Sequence, residues 1–432
     1  MKKPFLYWIF AFFFLGAATL FSLDSDFDAD GYADFSDYIN GLYGIDPNAG
    51  GSAFPVLNAP MGGRAEGMAG AFAAVADDVS FIEWNPAGSA SLKLTQLAFF
   101  HNNWIADAKI EGAVFSSRLG NLGYGIAGKW LWTPFTEYGD FGERLSKGYY
   151  SEAAAFINVS YNFFHGYYFD GVSFGVNIKA ALRSAPDYTE DGALASGSGK
   201  SQSATAFLAD AGLLTRINLL KFYSSAEKNA SFALVIRNYG EDVMGDPLPT
   251  ALSAGVSYKP FRPFTFSADV TFPLYITNLT GLDASLSEKP YVSFGFSSRI
   301  TSFLSAHLGV MVKAGGGRFT AGSEILAGNI VFCVNYTLDL LTQAQPLNRV
   351  TAGVRFDLGD GGRQAKRETI EKMYMEGMLA YSEGRNEEAR DIWEEALTID
   401  KTFEPITEAL NVLKNFENLE KRIVDVEEAS KE

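Results

Sequence analysis

The sequence predicts an all-β transmembrane barrel of about fourteen antiparallel strands, preceded by a short lumenal segment and followed by a small α-helical appendage. Three observations carry that reading. Apolar and polar residues alternate through the middle of the chain: Phe264, Phe266, Ala268, Val270 and Phe272 fall on one face and Thr265, Ser267, Asp269 and Thr271 on the other, because strand side chains point to opposite faces in turn. Composition agrees, since 36 Phe and 20 Tyr against 3 His, with 43 Gly spread along the chain, suit strands that face lipid better than a soluble enzyme. Finally, Lys2 and Lys3 precede an apolar run from Pro4 to Leu20 that is too short to cross a bilayer comfortably as a helix. It ends among small residues without a basic stop-transfer flank, as a cleaved secretory signal peptide over residues 1–22 would.

The alternation recurs at 172–179, 292–299 and 350–357. A soluble β-sandwich also alternates, and the signal peptide, aromatic segment ends and segments of about ten residues decide for an outer-membrane barrel. Candidate strands start near residues 94, 108, 121, 150, 170, 205, 230, 250, 263, 290, 303, 317, 328 and 347. With a periplasmic N-terminus the odd connections lie outside, and the long ones at 133–149, 183–204 and 275–289 are all odd. The even connection at 218–229 is longer than this pattern wants, so it is either an elaborated turn or a misplaced strand. Trp130, Trp132, Tyr149, Tyr150 and Tyr167, Tyr168, Phe169 fall at segment ends, where interfacial girdles belong.

A lumen of this size is a water-filled hole unless something occupies it. The stretch "GMAGAFAAVADDVSFIEWNPAGSASL", residues 67–92, is the candidate occupant. It begins like a small-residue helix and breaks at Trp84 to Gly88, with Pro86 ending the helix and Gly88 allowing a tight reversal. Gly62, Gly63, Gly67 and Gly70 permit close backbone packing; a plain linker is the alternative.

From Gly62 the segment "GGRAEGMAGAFAAVADDVSFIEWNPAGSASL" resembles the N-terminal signature of FadL/TodX-type outer-membrane transporters and the related PorV-type proteins. The resemblance spans residues 62–92 and implies a fourteen-stranded barrel with an N-terminal hatch, whose characteristic tripeptide falls on Asn85, Pro86 and Ala87. It implies a hatch and ligand path at Arg64, Gly67, Met68, Trp84, Asn85, Pro86, Ala87 and Gly88. The implied activity is uptake of long-chain fatty acids or other hydrophobic small molecules. Such a ligand rests in an apolar pocket between hatch and wall and leaves when the hatch shifts or through a lateral gap. The PorV-type relation implies instead a scaffold or shuttle for protein secretion or surface assembly. The loops at 133–149 and 183–204, rich in Gly, Ser and Asp, lack the adjacent apolar residues of an external capture site.

Other chemistry is weak. "DFDADGYADFSD", residues 26–37, has the spacing of a calcium loop, with ligands at Asp26, Asp28, Asp30, the Tyr32 carbonyl, Asp34 and Asp37. Position twelve is Asp where Glu would chelate with both oxygens, so a calcium site and a solvated acidic tail both stand. Gly171 to Gly175 matches a nucleophile-elbow pattern but sits within an alternating strand. Gly199-Lys200-Ser201 lacks the first glycine of a phosphate loop. His101, His165 and His307 have no metal-ligand spacing, and Cys333 is the sole cysteine, which excludes intrachain disulfides and thiolate clusters. A net charge of −16 without any basic stripe argues against nucleic-acid binding. We therefore expect no enzymatic activity and no required cofactor. The expected partners are outer-membrane lipid and a hydrophobic ligand.

Gly359-Asp360-Gly361-Gly362 marks a boundary beyond which Glu, Lys, Arg, Ala and Met recur with helical spacing. "MYMEGMLAYSEGRNEEARDIWEEALTIDKTF" resembles a tetratricopeptide repeat, with Gly377, Tyr381, Gly384, Ala389, Trp393 and Ala396 at the helix-crossing positions and Lys401 in place of the closing Pro. One repeat cannot build a peptide-binding groove, so the unit is either a docking knob for a periplasmic protein or a stabilising cap. The expected organisation is a signal peptide at 1–22, an acidic segment and hatch at 23–92, an outer-membrane barrel at 93–358 and a periplasmic helical module at 359–432.

Overall fold

Fourteen antiparallel strands close into a barrel in a computed structural model that describes residues 46–429 except 47, 106, 139–140, 186–202, 226, 278, 284–285, 315 and 342–346. The signal-peptide and calcium-loop readings fall outside the described residues. The strands are β1 Gln96–Asn103, β2 Lys109–Leu119, β3 Leu122–Tyr138, β4 Arg144–Phe163 and β5 Val172–Ser184. They continue as β6 Ala204–Ile217, β7 Ala230–Gly240, β8 Thr250–Tyr258, β9 Phe264–Leu274 and β10 Tyr291–Arg299. The last four are β11 Leu304–Lys313, β12 Gly316–Ala327, β13 Ile330–Asp339 and β14 Leu347–Asp357. Each strand pairs with its sequence neighbours, and β1 closes on β14 with Gln96 opposite Asp357 and Asn102 opposite Thr351. Closure leaves no unpaired edge, which is what a sheet needs where no water can satisfy its backbone.

The alternation sorts as the period-two rule requires. Phe266, Phe272, Ile126, Ile157, Ile178 and Phe294 are exposed on the outer wall, while Ser267, Asp269, Thr271, Asn158 and Asn177 are buried on the inner one. Among the described residues no helix is long and apolar enough to cross a membrane.

One sequence expectation changes and two are sharpened. The connection at 133–149 is mostly strand, because β3 and β4 run on as a hairpin to Tyr138 opposite Arg144, past an irregularity at Glu137/Tyr138. Backbone pairing alone extends a hairpin beyond the bilayer, and two wet faces leave no alternation to read there. The connection at 218–229 is an elaborated turn in which the Asn229 side chain donates to the Leu219 carbonyl at 2.6 Å and accepts its N–H at 2.8 Å. Tyr167, read as a girdle residue, packs its ring at 4.9 Å against Phe403 of the helical region.

That region holds α4 Arg363–Ser382, α5 Asn386–Ile399 and α6 Glu404–Ala429, and three short helices, α1 Pro55–Asn58, α2 Gly63–Gly67 and α3 Phe81–Trp84, precede the barrel in sequence. Trp393, Ile370, Ala380, Ala389, Ala396, Ile406 and Leu413 form its core. A Cβ at Gly377 would stand 2.2 Å from Trp393 Nε1, so only glycine lets α4 and α5 meet there. Asp360 accepts from the N–H groups of Gln364 at 2.6 Å and Gly362 at 3.0 Å, which holds its carboxyl below the usual range and starts α4. The region is fastened to the barrel end that carries the even turns. There Glu404 and Glu408 accept from the Tyr168 N–H and hydroxyl, each at 2.9 Å, and Arg363 donates to the Arg118 and Lys93 carbonyls.

Candidate functional site

Residues 53–92 fill the lumen, and contacts from all fourteen strands hold them there. The expected small-residue helix does not form. Only α1 Pro55–Asn58, α2 Gly63–Gly67, α3 Phe81–Trp84 and a 3₁₀ turn Pro86–Ser91 are regular. Between α2 and α3 the chain turns through left-handed positions at Ala69, φ 52°, and Gly70, φ 78°, where Gly70 lies flat against the Trp84 ring. An irregular backbone buried this deeply must find hydrogen bonds outside itself.

The inner wall supplies them, strand by strand. From β1, Asn102 donates to the Pro60 carbonyl at 2.9 Å and Gln96 accepts from Val79 N–H at 3.1 Å. Arg118 of β2 donates to the Ala90 carbonyl, and Lys129 of β3 bridges the Ala59 carbonyl and Glu83. On β4, Glu152 accepts from Val56 N–H at 2.9 Å and Asn158 donates to the Pro86 carbonyl at 2.9 Å. Asn177 of β5 reaches the Ile82 carbonyl at 2.8 Å, and Arg216 of β6 reaches that of Val75 at 3.2 Å. Ser267 and Asp269 of β9 hold Ala71 and Ala73, Thr320 of β12 holds Gly67, and Asn335 of β13 holds Gly63. On β8, β10 and β11 inward glycines make room instead. At Gly309, for example, a Cβ would lie 2.3 Å from the Met68 backbone.

The motif residues take distinct places. Asn85 is wholly buried, donating to the Ala73 carbonyl at 2.8 Å and to Leu213 of β6 at 3.2 Å while its oxygen caps Ala87 N–H at 3.0 Å. Pro86, Ala87 and Gly88 press on β4 to β6 so closely that a Cβ at Gly175 would sit 2.3 Å from the Pro86 oxygen. Gly88 does not make a positive-φ reversal. It leaves room for Phe81, which a Cβ would meet at 2.5 Å. Gly67 and Met68 are buried under β10 to β12, whereas Trp84 is half-buried beneath the Arg237 guanidinium of β7, 4.9 Å above its ring.

Besides the Lys129–Glu83 pair, two ion networks among the described residues join hatch to wall. Arg64 pairs with Asp77 and Asp78 inside the hatch, and Arg355 of β14 meets Asp78 at 3.5 Å and Glu324 at 3.0 Å. His307 stands 3.6 Å from Glu324 and hydrogen-bonds Ser297, a structural setting. Arg349 of β14 meets hatch Glu66 at 3.5 Å and Asp339 at 3.1 Å. Charges buried this way are held only while their partners stay put.

At the end that carries the odd connections, a cavity of about 550 Å³ opens above the hatch. Residues 48–52 cross it, tied by Asn48 to the Ser287 carbonyl and by Gly50 N–H to Glu288. Its wall mixes apolar residues (Leu248, Pro273, Leu286, Met311) with Arg237, Lys313 and Arg318. Lys313 pairs with Glu288, and Arg318 with Asp339 at 2.7 Å. Among the described residues Arg237 makes no carboxylate pair, and its Nε and the Trp84 Nε1 below it have no acceptor. The space therefore opens over Arg237, whose guanidinium covers Trp84, and neither Trp84 nor Asn85 to Gly88 lines it. Arg237 was missed because an arginine on an alternating strand looks the same whether it meets water or a ring.

A second depression of about 560 Å³ lies on the outer wall, where Ala113, Gly128, Ala155 and Ala180 form a row beside Phe99 and below Trp130 and Leu182. Pairing is continuous along that row, so no lateral gap exists there.

A UPF0164 protein of Treponema pallidum (strain Nichols) is 29% identical over 386 residues, covering 84% of this chain and 83% of the relative. A second from the same organism is 27% identical over 401 residues, covering 85% and 77%. Among solved structures, the TodX deltaS2S3 mutant monoaromatic hydrocarbon channel is similar at 12% identity and a TM-score of 0.42, over 65% of this chain and 94% of that one. The Pseudomonas putida toluene transporter TodX is similar at 12% identity and 0.41, over 64% and 92%. The model of an uncharacterised protein family, UPF0164, matches residues 46–361, from the segment crossing the mouth cavity to the end of the barrel, and the chain belongs to that family.

Proposed function

We propose that this chain sits in a bacterial outer membrane and admits hydrophobic small molecules, long-chain fatty acids among them, by displacement of the hatch. The observation that carries this reading is a lumen closed by a segment of mostly irregular backbone, below a half-apolar cavity at one mouth. A water-filled porin needs no such segment. Arg237 at the cavity floor, which has no carboxylate partner among the described residues, offers a cation to a polar head, and Leu248, Leu286 and Met311 offer apolar surface to a tail. Unbroken pairing from β1 to β5 favours hatch movement over lateral exit on that side of the wall. With the mouth cavity outside, the helical module is periplasmic, on the side where a soluble acceptor would take the ligand. A PorV-like scaffold is the second reading, favoured by the packing around Asn85 to Gly88, which resembles that of a permanent plug.

A hatch lock tests the proposal. Ser89 and Ser160 side chains touch, so Ser89→Cys with Ser160→Cys, in a Cys333→Ser background, places two thiols in reach of a disulfide. In liposomes we expect fatty-acid flux in the reduced protein and its loss on oxidation. Equal flux in both states would reject hatch displacement, and negligible flux in both would reject transport.

A further inference from the structure

The last helix carries an unused face. In α6, Ile406 and Leu413 enter the module core and Arg390 pairs with Glu417. Beside that face Val412, Phe416, Leu419 and Ile423 are 56%, 45%, 56% and 58% exposed. With Val426 they recur at alternating spacings of four and three, the a/d seam of a left-handed coiled coil. The seam continues beyond Leu413, the last core residue of the module, and among the described residues none of Val412, Phe416, Leu419 and Ile423 joins that core.

We propose that this seam joins two copies of the chain as a parallel two-stranded coiled coil. The argument is charge. With Phe416 and Ile423 at a positions, Arg422 is a g residue and Glu420 and Glu427 are e residues. Parallel pairing sets g of one helix near the following e of the other, Arg422 across from Glu427; antiparallel pairing sets the two glutamate positions against each other. An anionic lipid surface is a poor alternative, since Glu417, Glu420, Asp425, Glu427 and Glu428 outnumber Lys414, Lys421 and Arg422. A two-fold contact is self-complementary, and the seam needs only its own residues to be complete. Two barrels in one membrane also share orientation and meet in two dimensions, which helps so short a coil. This inference is independent of transport.

The test uses the full chain in membranes, again with Cys333→Ser. Leu419→Cys at the seam and Lys414→Cys on the outer f position are oxidised in parallel with copper phenanthroline and air. The expected result is an adduct of twice the chain mass from Leu419→Cys and none from Lys414→Cys. Adding Phe416→Glu and Ile423→Glu is expected to cut the adduct by about tenfold, while heat-modifiable gel mobility stays that of a folded barrel. Equal crosslinking at both positions, no adduct at Leu419→Cys, or an adduct to a protein of another mass would overturn the proposal.

Discussion

The hatch and the helical module bury apolar side chains to similar depth, yet their backbones are satisfied in opposite ways. In α4 to α6 the backbone bonds itself, and the module touches the barrel mainly through Arg363, Tyr167, Tyr168, Phe403 and two glutamates. Between Ala53 and Leu92 much of the backbone leans on side chains from the wall. The lesson concerns the wall. Its polar inner face, which in a porin would meet water, here serves as the hydrogen-bonding half of the hatch. Wall and hatch should therefore fail together, and the module should fail alone.

The strongest challenge to that contrast is Arg349→Ala, which leaves Glu66 buried without its cation. We expect a loss of about 3–5 kcal/mol, read as a lowered unfolding midpoint, together with ion conductance in planar bilayers as the hatch loosens. Asn177→Ala removes donors to the Ile82 carbonyl and to Asp210, for an expected loss of about 1–3 kcal/mol shared by hatch and wall in the same measurement. Gly377→Ala drives a methyl group into Trp393. We expect about 1–3 kcal/mol lost from the module alone, seen as early loss of helical circular dichroism while the barrel's gel mobility holds. The smallest effect is at Asp360. Its folded carboxyl is depressed by two N–H donors, so its contribution is present above the unfolded value and fades as pH falls through the folded one. Acidification should fray the start of α4, and Asp360→Asn should remove that pH dependence, both visible by amide exchange at Gln364.

How much of this could be read from the sequence differs by region for the same physical reason. Strand starts near 250, 263, 290, 303 and 347 agree with the structure, because a wall with lipid on one side imposes period two on every crossing. The start expected near 150 lies at Arg144, where the β3–β4 hairpin leaves the bilayer and the alternation stops carrying information. Within the hatch, alanines and glycines suggested a helix. The backbone turned otherwise because Ser267, Asp269, Thr320 and Asn335, far away in sequence, offer it partners that local propensity cannot register. One signal was available: amides such as Asn158, Asn177 and Asn335 on the inner face are costly to bury unless something specific meets them. Arg237 offered no comparable sign.

Amide hydrogen exchange across residues 53–92 in the membrane-embedded protein tests the central claim most directly. Val56, Ala73, Val79 and Ala87 lie in short or irregular segments, but each donates to a named oxygen inside the barrel. The expected result is protection comparable to that of β4 and β9. Exchange at the rate of open loops, with the wall strands protected, would mean that the lumen is not filled as described.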